Sequence, residues 1–141
     1  MGYAVLALVT FCIHFVWEQA HVGLYTGYER LGSVVPVTVY ATLGDVVYTL
    51  AAVAFVGLVR GSWSWFVRPG SRDVVALTIA GLGIAVFVEY KAFALGRWAY
   101  TEAMPLVGGL GISPLLQMTL LLPLSVVLTG RILRRMRQKM W

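Results

Sequence analysis

Residues 34–59 read VVPVTVYATLGDVVYTLAAVAFVGLV, and the whole stretch carries one charge, Asp45. At about 1.5 Å of rise per residue, a helix of this length crosses the roughly 30 Å hydrocarbon layer of a bilayer. A helix that is apolar all round is buried in protein or in lipid. Residues 3–25, 74–95 and 112–129 have the same character, and each is close to the roughly 20 residues that a span needs. Composition agrees. Of 141 residues, 60% are hydrophobic and 12% charged, against about 25% charged in an ordinary soluble domain. The sequence predicts an all-α fold: one domain over 1–141, an integral membrane bundle of four transmembrane helices.

The connectors carry the punctuation of turns. Gly27 and Gly32 lie between the first two spans, Arg68-Pro69-Gly70 between the second and third, and Met104-Pro105 with Gly108-Gly109 in the last. That last connector, residues 96–111, is long and partly apolar, so it is expected to fold back on the bundle. Lys and Arg set the orientation. Arg60, Arg68 and Arg72 share one side with a basic tail, residues 130–141, holding Arg131, Arg134, Arg135, Arg137 and Lys139. Arg30, Arg97 and Lys91 fall on the other. Both termini are therefore expected in the cytoplasm, in a multi-pass protein of the cell membrane. Trp63, Trp65 and Phe66 fit an inner aromatic belt, and Tyr25, Tyr28, Trp98 and Tyr100 an outer one. The net charge of +5 sits where a tail meets anionic lipid, which argues against nucleic acid as a partner. Cys12 is the only cysteine, so no internal disulfide is possible. No cleavable signal peptide is expected, because the first apolar stretch contains His14 and Glu18.

Three of the six acids fall inside spans: Glu18, Asp45 and Glu89. A charge near the centre of a span costs about 2.5–3.5 kcal/mol, so such groups are expected to face the interior of the bundle. His14, Glu18 and His21 fall within an arc of roughly 60° on the first helix, with Trp17 beside them. Thr38, Thr42, Asp45 and Thr49 share a face of the second. Thr78, Gly81, Ala85 and Glu89 share one of the third, where the small residues permit close helix approach. Ser113 and Gln117 enter with the fourth. Counted along the helices, these groups converge on the middle and outer half of the membrane, with Arg97 and Glu102 positioned to cap them.

Imidazoles and carboxylates in an apolar setting are suited to moving protons. Glu18, Glu89 and His14 are the expected catalytic groups, the two acids as proton donor and acceptor and His14 tuning Glu18. Trp17, Asp45, His21, Thr42, Tyr48, Arg97 and Gln117 are the expected binding residues, with Trp17 offering a π face to developing positive charge. No metal and no cofactor is expected. The i, i+4 pair here is His and Glu, whereas zinc-protease helices place two His at that spacing. Residues 108–111 lack the Lys of a phosphate loop.

The run Ile13-His14-Phe15-Val16-Trp17-Glu18, with Gly23-Leu24-Tyr25 and Gly44-Asp45-Val46-Val47-Tyr48, resembles emopamil-binding proteins of the EXPERA type. That resemblance implies a helical membrane bundle that binds lipids or amphiphilic amines, or shifts a double bond by adding and removing protons. The His-x3-Glu helix, the Gly-Asp helix and the connector Gly96-Arg97-Trp98…Tyr100…Met104-Pro105 also resemble small uncharacterised bacterial four-span proteins. Three functions remain open: acid–base chemistry on, or binding of, an apolar lipid or isoprenoid, in the manner of an isomerase; proton- or cation-coupled transport as a homo-oligomer; and an accessory subunit of a membrane complex. Membrane lipid is the expected partner throughout.

Overall fold

The computed structural model describes residues 1–28 and 33–139; Arg30, Gly32 and the last two residues of the basic tail lie outside the described residues. Four long helices dominate: α1 (Gly2–His21), α2 (Val34–Arg60), α3 (Ser71–Ala94) and α4 (Ile112–Gln138). All four are long and apolar enough to cross a membrane, with mean hydropathy of 1.4 to 1.9 over their best windows. The first helix stops at His21 and continues as a short 3-10 turn, Val22–Leu24. The fourth runs to Gln138, past the apolar stretch that ends at Thr129. Arg, Lys, Leu and Met are good helix formers, so the backbone does not register the change from apolar to basic side chains.

The surface is inverted relative to a soluble protein. Phe55, Ile79, Val16 and Tyr40 are well exposed, while Thr10, His14, Thr42, Thr49, Ser125 and Thr129 are fully buried. Apolar faces turn outward and polar stripes turn inward on each helix.

The helices form a row rather than a ring. α1 packs on α2 and on α4, α4 packs on α3, and α2 barely meets α3. The α3–α4 contact depends on Gly81: a Cβ there would overlap the Met118 carbonyl oxygen and lie 2.8 Å from its carbon. The apolar core draws on all four helices and the turn before α3: Leu6, Val53, Phe66, Leu77, Ala85, Leu122, Val126 and Leu133. Trp65 closes the end carrying Arg60 by donating its indole N–H to the Val53 carbonyl at 3.0 Å. Gly61, at φ +61°, ends α2; its N–H and that of Ser62 bond back to Leu58 and Gly57, the closing pattern of a helix that ends in a left-handed residue. Asp73 then starts α3, accepting the Gly70 N–H at 2.8 Å and the Arg60 guanidinium at 2.5 Å.

The opposite end is covered by two small antiparallel ribbons. β1 (Tyr25–Thr26) pairs with β2 (Ala99–Tyr100), Tyr25 opposite Tyr100. β3 (Leu106–Val107) and β4 (Leu110–Gly111) form a hairpin. Its turn residues Gly108 and Gly109 both have positive φ, as a two-residue turn matched to strand twist requires. The expected fold-back of the last connector takes this form, with Met104 and Leu110 buried beneath it.

Candidate functional site

Six side chains from three helices form one continuous hydrogen-bonded chain. Ser113 Oγ lies 2.7 Å from His21 Nδ1. His21 Nε2 lies 3.2 Å from Glu18 Oε2. The other oxygen of Glu18 accepts from the amide nitrogen of Gln117 at 2.7 Å, and the same nitrogen donates to Asp45 at 2.9 Å. Asp45 in turn meets His14 Nδ1 at 3.1 Å. An amide nitrogen has two hydrogens, and these two bonds use both. His14 Nδ1, 3.4 Å from the Gln117 nitrogen, therefore has Asp45 and not the amide as its partner.

The order of the chain follows from helix geometry. His21, Glu18 and His14 are stacked along one face of α1, so the chain descends about 10 Å from the end of the helix toward its middle. His14 is 0% exposed and Gln117 3%. Glu18 and Asp45 keep 13% and 17% of their side-chain surface open.

Below His14 the polar lining continues. Thr78 and Ser125 return their hydroxyl protons to carbonyls of their own helices, as do Thr38 and Thr42 on the outer side of Asp45, the usual resolution for such residues in helices. Thr10, Thr49 and Thr129 are equally buried, yet their hydroxyls have no hydrogen-bond partner among the described residues, and neither does His14 Nε2. Thr10 lies one turn below His14 on α1, and Thr49 one turn below Asp45 on α2.

Above His21 the ribbons close the site. Tyr25 packs edge-on against His21 at 5.3 Å between ring centres, and also against Trp98 and Tyr100. Trp17 packs edge-on against the other side of His21. Tyr100 donates to Glu89 at 2.5 Å and accepts the Gly111 N–H at 2.8 Å. Burial pushes the Tyr100 phenol above its ordinary value, and the Glu89 hydrogen bond pushes it further. Burial also raises the Tyr25 phenol, with the Glu89 charge adding to the effect.

The structure thus joins His14, Glu18, His21, Asp45 and Gln117. Glu89 is near His21 and Glu18 but is not bonded into this chain; Tyr100 holds it, and its helix α3 packs on α4 rather than on α1 and α2. Thr42 is bonded to Thr38 within α2, and Tyr48 packs against the apolar core. Arg97 is exposed, and no ion pair links it to Glu89 or Glu102 among the described residues. Ser113, which the sequence places with Gln117 on α4 but gives no role, joins the chain through His21. Two further participants are not among the groups that the sequence brings together. Tyr25 and Tyr100 were placed in the outer belt. Their role depends on the β1–β2 pairing, which no periodicity announces.

Among the described residues no group of three His, Cys, Asp or Glu side chains is placed to hold a metal ion. Compared with known proteins, the chain matches no protein-family model, no curated protein and no solved structure.

Proposed function

We propose that this chain is a four-span membrane protein, with both termini on the cytoplasmic side, whose acid–imidazole chain forms the outer half of a proton path across the bilayer in proton- or cation-coupled transport. The observation that carries the reading is Gln117 bonding Glu18 and Asp45 with one nitrogen, with an imidazole at each far end of the pair. The orientation rests on Arg60, Arg72 and the basic end of α4 lying together at one end of the bundle.

The groups divide into two proton-holding pairs, His21–Glu18 outside and Asp45–His14 within. An amide does not itself pass protons at a useful rate. It holds the two acids on either side of one nitrogen, near enough for a single water to bridge them. Intramembrane acids and histidines in such order mark proton pathways. The path lies inside one chain, so a second copy is not needed to enclose it. Acid–base chemistry on an apolar lipid is less well supported, because it calls for Glu18 and Glu89 to face one cavity and the two are bonded to different partners.

The test is proton uptake into liposomes containing the purified protein and a trapped pH dye, driven by a potassium diffusion potential. Wild type should acidify the lumen faster than protein-free vesicles, and Glu18→Gln, checked for an unchanged elution profile, should lose most of the difference. Wild-type rates equal to those of empty vesicles under both gradient directions would refute the proposal.

A further inference from the structure

At the end of the bundle away from the acid chain, a cavity of about 550 Å³ opens between the end of α2, the turn before α3 and the end of α4. Its volume falls within the range of about 300–1,000 Å³ typical of small-molecule sites. Four guanidinium groups line it, those of Arg60, Arg68, Arg134 and Arg137, together with Ser62 and Ser64. The charges are unevenly committed. Arg60 is paired with Asp73 and lies over the Trp65 ring, and Arg134 donates to the Val67 carbonyl. The side chains of Arg68 and Arg137 have no hydrogen-bond or ion-pair partner among the described residues, and Asp73 is the one acid among them at this end of the bundle. Like charges gathered on a concave surface raise the local positive potential and favour an anion. Guanidinium forks with hydroxyl donors beside them match the oxygens of a phosphate.

A second cavity, of about 200 Å³, adjoins the first and shares Ser64, Val67 and Arg137 with it; Met1, Gly2, Tyr3, Trp63, Phe66 and Leu133 line the remainder. A free phosphate would have no use for that apolar annexe. A molecule with a phosphate head and an apolar continuation would fill both.

We propose that this double cavity is a binding site for the headgroup of an anionic phospholipid, with the phosphate against Arg68 and Arg137 and the start of the apolar part against Phe66 and Leu133. The inference uses the membrane placement but not the proton path, and its test involves no proton movement.

Native mass spectrometry of the full chain in detergent, titrated with dioleoyl phosphatidylglycerol or dioleoyl phosphatidylcholine, reads the site directly. The anionic lipid should bind about tenfold or more tightly than the zwitterionic one. Arg68→Gln combined with Arg137→Gln should remove most of that preference. Arg131→Gln combined with Arg135→Gln removes equal charge from α4 outside the cavity and should leave the preference within about twofold. Both side chains changed in the first pair are exposed, so folding should survive, and an unchanged melting temperature verifies it. Equal loss in the two double variants, or equal binding of the two lipids, would overturn the site. Displacement of bound lipid by millimolar inorganic phosphate would reassign it to a soluble anion.

Discussion

Gln117 on α4 holds Glu18 on α1 at 2.7 Å with a hydrogen bond whose donor nitrogen is also committed to Asp45 on α2. Three helices therefore depend on one amide. Gln117→Leu removes both donors and leaves two carboxyl groups in an apolar interior without them. The loss should be about 2–4 kcal/mol, read as a lower melting temperature in detergent. A melting temperature equal to wild type would show that the bonds contribute nothing to the fold.

The approach of α3 to α4 gives a paired prediction. Gly81→Ala must push Met118 away and should cost about 1–3 kcal/mol. Gly83→Ala, two residues along on the same helix, meets nothing within 4 Å and should stay within about 1 kcal/mol of wild type. Denaturation in mixed micelles compares them, and equal effects would contradict the packing described.

Tyr100 and Tyr25 set an alkaline limit on the cap. Their phenols are held above the ordinary value of 10.0 in the fold, so between that value and the folded one the native state binds more protons than the unfolded state. Stability contributed by these groups is complete below pH 10 and falls as pH rises further. Ultraviolet titration should show tyrosines that ionise only when the cap opens. Tyr100→Phe should flatten the alkaline loss and quicken amide exchange at Gly111, whose N–H loses its acceptor.

Asp73 acts at the start of α3. Asp73→Ala removes the acceptor for the Gly70 N–H and should cost about 1 kcal/mol. Arg60→Ala should cost less, because the Arg60 side chain is 47% exposed and solvent screens such a pair. Asp73→Ala also breaks the ion pair, so the excess of its loss over that of Arg60→Ala reports the cap, and equal losses in thermal melts would mean that the cap contributes nothing.

The four helices were legible because each is a long apolar run, a signal that needs no knowledge of neighbours. Their inner faces were legible too: the spacing of His14, Glu18 and His21 on one helix, and of Asp45 among threonines on another, marked the groups that now meet. What could not be read was the order of the helices in the row. Periodicity reports which face of a helix turns inward and says nothing of which neighbour it meets. Glu89 was grouped with Glu18 on that account, and the structure gives it to Tyr100 instead. The far end of α4 was missed for a related reason. Residues 130–138 lose the apolar pattern but keep helical propensity, and Gly130 seats the helix against the Phe66 and Val67 carbonyls.

The row arrangement has a mechanical side. α2 packs mainly along α1, meets α4 through the Asp45–Gln117 bond, and is held at its far end by Trp65 and the Arg60–Asp73 clasp. Away from α1 it therefore has two fastenings, one at Asp45 near its middle and one at the end that carries Arg60. The first depends on a single carboxyl group, so one side chain joins the outer half of a whole rod to its second neighbour.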